Sequence, residues 1–409
     1  MSLHLRKKRR MDPASFDLVV VGCGGGHDET NLSAYLVKPR DKPWSDGILG
    51  LEAGSGYGAL KQLFGSTHPH LFASLFKLKS KRPYSATDKA HTVFTHLRAY
   101  LISHAHLDHC ASLIISSGSL PGPTRHILGA QSVLDDLERC IWRPGRCWPR
   151  IVGWDPSNSN TAGGILRALK LAPNTDVIGD RDDEYTPIGA GLDDLLVRVV
   201  PLSHGCAYTS SAFFIKHTRT RHEFLFFGDV EADPISSCPT RPLLFPIWTH
   251  TAHLFTANRL RTLLIECSYP AGRPESQLFG HLSVEGLRKE INVLAGEVAK
   301  LRPRVAAEVQ DGTAKLRTSL RRPLKRKASS DLARPRTRSH IPTISGPLTG
   351  LRVIVTHCKE PPPGFDLQGA PSIADYIVRQ LKYGTESLGP DETGVEYVAA
   401  HQGDEFGEL

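Results

Sequence analysis

No run of about 18 apolar residues occurs anywhere in the chain, which leaves nothing to cross a bilayer as a helix. The stretch 16–21, behind a basic N-terminus, is too short for the apolar centre of a signal peptide. Nor do the eight cysteines, at 23, 110, 140, 147, 206, 238, 267 and 358, form a CxxC pair or keep a regular spacing. Such scattered cysteines fit reduced thiols better than a disulfide framework. These absences lead us to expect a soluble, non-secreted, intracellular protein with no membrane partner, cytoplasmic unless its basic segments direct it to the nucleus. A basic body is missing as well. The formal net charge is +8, but five Arg and Lys are packed into 6–10, and 13 more stand against only Glu308, Asp311 and Asp331 in 300–340. The remainder is mildly acidic, so neither a basic groove nor a nucleic-acid partner is expected.

What is present is globular in character: 409 residues, 40% hydrophobic and 22% charged. That is enough for one large domain or two ordinary ones around a substantial core. The most informative stretch is Ser103-His104-Ala105-His106-Leu107-Asp108-His109, entered from an apolar strand at 99–102 and left by an amphipathic helix at about 108–117. Imidazole and carboxylate are ligands that Zn²⁺ accepts. On an extended segment, residues i and i+2 face one side, so His104 and His106 can grip one ion together. Asp108 and His109 sit where the chain turns into the helix and point elsewhere, so one segment can serve two ions.

Read in order, strands are expected at 16–21, 32–37, 47–51, 125–128, 195–202, 212–216, 224–227, 262–266, 351–355 and 395–399. Helices are expected at 57–64, 131–142, 284–301 and 373–381. Gly22-Cys23-Gly24-Gly25-Gly26 is followed by no helical pattern and so is no dinucleotide fingerprint. Residues 68–98 are ambiguous, and 143–194, rich in Pro, Gly, Asn and Asp, reads as a long irregular surface excursion. From 303 to 346 the composition turns to Arg, Lys, Ser and Pro, too poor in apolar residues to fold.

Four strands end in a candidate ligand: Ile102 before His104, Leu202 before His204, Phe227 before Asp229, and Val355 before His357. Strand ends on one rim of a sheet sandwich can bring distant residues to one point. His104, His106 and His204 would then hold a first ion, and Asp108, His109 and His357 a second. Asp229 is the natural bridge, because a carboxylate has two oxygens. Two cations about 3.5–4 Å apart bring a shared water to an apparent pKa near neutrality, which suits hydrolysis of a phosphodiester or acyl bond. His281, opening the helix after Glu266, is a candidate general acid. Glu231 and Glu266 could orient imidazoles, whereas His250 and His253 have no partner set and are expected at the surface.

The motif His104-Ala105-His106-Leu107-Asp108-His109 resembles the signature of the class II cyclic-nucleotide phosphodiesterases, a fungal low-affinity cAMP phosphodiesterase family within the metallo-β-lactamase fold. The likeness extends through Gly22-Cys23-Gly24-Gly25, Leu202-Ser203-His204-Gly205, Gly228-Asp229-Val230-Glu231, Glu266-Cys267-Ser268-Tyr269, Gly280-His281-Leu282-Ser283 and Thr356-His357-Cys358-Lys359. Glu52 stands where the family more often has Asp. The resemblance implies an α/β fold, a four-layer αββα sandwich, over 15–302 and 347–409, with a basic disordered arm at 1–14 and a basic disordered insertion at 303–346. It implies hydrolysis of 3',5'-cyclic AMP, with cyclic GMP as a second candidate, to the 5'-monophosphate by a metal-bridging hydroxide. Two divalent ions, Zn²⁺ first among them, would be the cofactors, and His281, Asp108 and Asp229 the catalytic residues. The rival readings are a tRNA 3'-end endonuclease, an acyl hydrolase and a catalytically silent binding protein of the same fold. Arg326-Lys327-Ala328-Ser329 suits a basophilic kinase, so cAMP-dependent protein kinase acting on Ser329 is a candidate partner, beside readings of the block as a nuclear signal or a passive charged linker.

Overall fold

The computed structural model describes residues 15–407 except 77–82, 120–121, 144, 149–151, 154–165, 173–183, 206–207, 234–241 and 319–345. Two sheets lie face to face. The first holds β1 (Phe16–Gly22), β2 (Ala34–Pro39), β3 (Ile48–Leu51), β4 (Leu97–Leu101), β5 (Arg125–Ala130), β6 (Val152–Gly153) and β7 (Leu166–Leu171). The second holds β8 (Thr186–Pro187), β9 (Leu195–Ser203), β10 (Thr209–His217), β11 (Glu223–Phe227), β12 (Leu260–Glu266), β13 (Arg352–Thr356) and β14 (Glu396–Ala399). A last short strand, β15 (Glu405–Phe406), returns to pair with β1, so the first sheet runs β15-β1-β2-β3-β4-β5-β7-β6. The second runs β14-β13-β12-β11-β10-β9-β8.

The strands are nearly continuous apolar runs because both faces of each sheet are covered. Between the sheets, Phe16, Val20, Leu49 and Leu101 meet Val199, Phe213, Phe226 and Leu264 in one core. On the outer face of the first sheet lie α1 (Tyr57–Gly65), α2 (Ala86–His96), α3 (Leu107–Ser116) and α4 (Gln131–Asp136). The outer face of the second carries α5 (Leu244–Thr256), α6 (Val284–Thr318) and α7 (Ile373–Tyr383). The order is helix, sheet, sheet, helix, the four-layer αββα sandwich anticipated from the sequence.

Several local readings are revised. The ambiguous stretch resolves into α2, started by a reciprocal cap in which Ser85 Oγ accepts from Asp88 N at 3.1 Å and Asp88 Oδ2 from Ser85 N at 3.0 Å. The excursion at 143–194 is not wholly irregular. Leu166-Arg167-Ala168 alternates inward and outward, and the buried Leu166 and Ala168 carry β7 into the sheet beside β5. The helix expected to end at 301 continues to Thr318, into the block read as disordered. The rest of that block, Ser329 and the basic arm 1–14 lie outside the described residues. His250, expected at the surface, is buried on α5, its ring edge-on to Phe214 at 4.9 Å; His253 is exposed. No helix among the described residues is long and apolar enough to cross a membrane.

Candidate metal centre

The ends of β4, β9, β11 and β13 converge. Just beyond β4 comes the segment His104 to His106, and α3 starts at Leu107, with Asp108 in its first turn, where a carboxylate is favoured. His204 follows β9, Asp229 follows β11 by two residues, and His357 follows β13. All seven residues expected as ligands meet there. His104 Nε2 and His204 Nε2 lie 3.0 and 3.3 Å from His106 Nδ1, and each is 3.6 Å from Asp229 Oδ2. The other carboxylate oxygen, Asp229 Oδ1, is 3.3 Å from His109 Nε2 and 3.4 Å from His357 Nε2. Asp108 Oδ2 completes that second group at 3.3 Å from His357 Nε2 and 3.7 Å from His109 Nε2.

These separations test whether a metal fits. A tetrahedral ion with arms of about 2.0–2.1 Å has ligand-to-ligand edges of about 3.3–3.4 Å. Both groups match that figure closely, and each is made only of imidazole nitrogens and carboxylate oxygens. His109 adds a second sign: among the described residues neither of its ring nitrogens makes a hydrogen bond, although the residue is 2% exposed. Buried polar atoms are seldom left so; Nε2 faces the oxygens of Asp229 and Asp108, and a cation held between the ring and these carboxylates would satisfy all of them. The residues fit divalent metal ions.

The surroundings prepare the imidazoles for that role. His204 Nδ1 donates to the carbonyl of Gly280 at 2.7 Å, so its proton is on Nδ1 and its Nε2 lone pair faces the centre. Burial pushes both His104 and His204 below the ordinary histidine pKa, favouring the neutral ring that a metal needs. Glu52, held at φ +56 and buried, accepts the backbone N–H of Ser103 and stands 3.6 Å from His109 Nδ1. Tyr208 stacks its ring on His106, 4.6 Å away and 8° from parallel. His106 is exposed and Leu107 is 63% exposed, so the centre opens to solvent on that side.

His281 lies at the edge of the centre, with its ring 4.9 Å from that of His204 and 5.3 Å from that of His357. Its Nδ1 contacts Glu266 Oε1 at 3.0 Å and lies 3.6 Å from Asp229 Oδ2. Burial alone would lower the His281 pKa, but the carboxylates of Glu266 and Asp229 outweigh it and the pKa rises. Of the two acids expected to orient imidazoles, Glu266 does so; Glu231 takes the hydroxyl of Ser203 at 2.7 Å. Sequence reading missed Ser268, which contacts both Glu266 Oε2 (2.6 Å) and His357 Nδ1 (3.1 Å), and it missed Tyr208. It noted Glu52 only as a departure from the family pattern. Ser268 had one local clue, its place two residues after Glu266, but the histidines that give the three residues a role at the centre lie far along the chain.

Comparison with known proteins agrees with this geometry. A model of the family "cAMP phosphodiesterases class-II" matches residues 24–381. The chain is 25% identical to a Yersinia pestis protein named "Probable 3',5'-cyclic-nucleotide phosphodiesterase", over 96% of this chain and 90% of that one. It is 30% identical to the 3',5'-cyclic-nucleotide phosphodiesterase of Schizosaccharomyces pombe, over 68% of this chain and 75% of its relative. The crystal structure of unliganded yeast PDE1 superposes with a TM-score of 0.67 at 20% identity, covering 96% of this chain and 99% of that one, and so shares the fold.

Proposed function

The chain belongs to the class-II cAMP phosphodiesterases, and on that premise we propose that the His and Asp centre is where a 3',5'-cyclic nucleotide is opened to its 5'-monophosphate. The observation that carries the proposal is Asp229, whose two oxygens face two different sets of imidazoles at 3.3–3.6 Å. His104, His106, His204 and Asp229 would hold one ion, and Asp108, His109, His357 and Asp229 the other; this nitrogen and oxygen donor set suits Zn²⁺. When bound, such a pair supplies positive charge for the phosphoryl oxygens and lowers the pKa of water to near neutral.

The reaction forms a bond from a water oxygen to phosphorus and breaks the bond from phosphorus to O3', which must then gain a proton. His281 is the donor. Its Nδ1–H is held by Glu266, and its Nε2, which makes no hydrogen bond among the described residues, remains for the departing oxygen. Asp108 and Asp229 keep the imidazoles aligned and balance the charge of the centre. Arg326-Lys327-Ala328-Ser329 supports phosphorylation of Ser329 by a cAMP-dependent kinase as a regulatory step on this enzyme.

The test is turnover of cAMP and cGMP by the purified chain before and after exhaustive chelation, beside an Asp229→Ala variant. Both treatments should abolish hydrolysis, and circular dichroism should show the variant folded. Turnover that survives chelation, or metal-loaded protein that hydrolyses neither nucleotide, would overturn the assignment.

A further inference from the structure

Leu278 O accepts from His281 N at 3.1 Å, which closes a tight turn over Phe279 and Gly280. Both central residues have positive φ, +51° and +85°, as in a type I′ turn. Asn or Gly is the residue such a turn favours at its first central position; a bulky Phe there is a true outlier. The turn cannot relax. A Cβ on Gly280 would lie 2.6 Å from Gly205 N, and Gly280 O is bound to His204 Nδ1. The result is an aromatic ring 68% exposed at the turn's tip, one residue from the end of the His204 hydrogen bond and two from the proton donor. Strained backbone that holds an apolar ring in water at a reaction centre points to a role in function.

A cation stands beside it. The Arg273 guanidinium lies over the Tyr269 ring at 4.1 Å and 6.0 Å from the centroid of Phe279, and Tyr269 in turn meets the His281 ring at 6.1 Å. Arg273 Nε donates to Gln277 O at 2.8 Å, and its terminal nitrogens make no hydrogen bond among the described residues. A cavity of about 180 Å³ walled by Arg273, Leu278, His281 and Lys289 opens at the same turn.

We propose that Phe279 and Arg273 form the nucleobase platform of this enzyme, Phe279 by stacking on the purine and Arg273 by donating to its acceptor atoms. The proposal rests on the cyclic-nucleotide reading above and deepens it. Every base offers a π face, so Phe279 serves adenine and guanine alike. Guanine presents N7 and O6 as a pair of acceptors, whereas adenine presents only N7 beside a donor, so Arg273 favours guanine.

The experiment compares cAMP, cGMP and a cyclic phosphodiester without a base, the 3',5'-cyclic phosphate of methyl ribofuranoside, on wild type, Phe279→Ala, Phe279→Trp and Arg273→Ala. Phe279→Ala should raise KM for both nucleotides about tenfold more than for the ester without a base. Phe279→Trp should restore nucleotide KM, and Arg273→Ala should weaken cGMP turnover more than cAMP turnover. Thermal melts report whether each variant is folded. Equal losses on all three substrates, or none, would overturn the platform, and an unchanged cGMP to cAMP ratio would remove Arg273 from it. Wild-type protein that hydrolyses neither nucleotide would sink the underlying function, a failure visible before any variant is compared.

Discussion

His281 donates from Nδ1 to Glu266 Oε1 across 3.0 Å, in a contact sealed from solvent. The same Oε1 accepts the backbone N–H of Val230 at 2.7 Å, and Oε2 takes Ser268 Oγ. A carboxylate so supplied with donors stays ionised; burial opposes this, but the neighbouring His281 outweighs it and the Glu266 pKa falls. The imidazole is thereby fixed in one orientation with Nδ1 protonated, and the raised pKa favours the second proton, on Nε2, that the departing oxygen would take.

His281→Ala should therefore lower kcat about 10²- to 10⁴-fold while bound metal stays constant. The loss should shrink for an ester with a nitrophenolate leaving group, which departs without a proton. Steady-state kinetics on the two substrates, with metal analysis of each preparation, checks both points.

Ser268 links this carboxylate to a second histidine, His357. Its single hydroxyl proton goes to the charged Glu266 Oε2 at 2.6 Å rather than to His357 O at 3.0 Å, so toward His357 Nδ1 it accepts. That puts the His357 proton on Nδ1 and turns the Nε2 lone pair toward Asp108 and Asp229. Ser268→Ala should weaken metal binding by about 10- to 100-fold, read by competition with a chromogenic chelator, with much of kcat recovered at saturating metal.

Gly25 lies directly behind His357. A Cβ there would come within 2.4 Å of His357 Cε1 and Nδ1 and 2.7 Å of its carbonyl oxygen. His357 already holds a φ of +56° and has no room to yield. Gly25→Ala should displace the ring, roughly halve the metal retained after gel filtration and abolish hydrolysis, since one of the two groups loses a ligand.

Glu290 sets a pH dependence away from the centre. Buried on α6, it accepts Trp248 Nε1–H at 2.6 Å and Asp233 N–H at 2.9 Å, yet burial outweighs both donors and raises its pKa to about 7. The Asp233 carboxylate adds to the rise and Lys289 opposes it. In the unfolded chain the group titrates near 4.3. Between these values the folded state binds the extra proton, so the contribution is complete below about pH 4 and is lost as pH rises to 7. Its size is on the order of 3 kcal/mol. Glu290→Gln should flatten the Tm-against-pH curve over that interval, measured by calorimetry.

Much of the centre could be read before any coordinates. The spacing of His104, His106, Asp108 and His109, and the recurrence of a ligand at the end of a strand, are local patterns. They follow from the period-two geometry of extended chain and from where an apolar run stops. The family likeness rests on the same short motifs and carried the sandwich with it. The errors fell where local pattern is silent. His250 looks like a surface residue until α5 turns it onto Phe214, and β7 hides its alternation inside a stretch rich in turn formers.

By itself, then, the sequence determined which residues are candidates for the chemistry and that most of them follow the ends of strands. Tertiary structure alone decided how they pair. Asp108 and His357 are 249 positions apart, and only the packing of the two sheets on their shared core brings their side chains to 3.3 Å. The choice of Glu266 over Glu231 for His281, the ring of Tyr208 on His106, and Ser268 between Glu266 and His357 belong to the same level. The physical reason is one of range: strand and helix periodicity acts over a few residues, whereas a shared carboxylate or a fixed tautomer needs atoms held to within a few tenths of an ångström, and a close-packed interior supplies that.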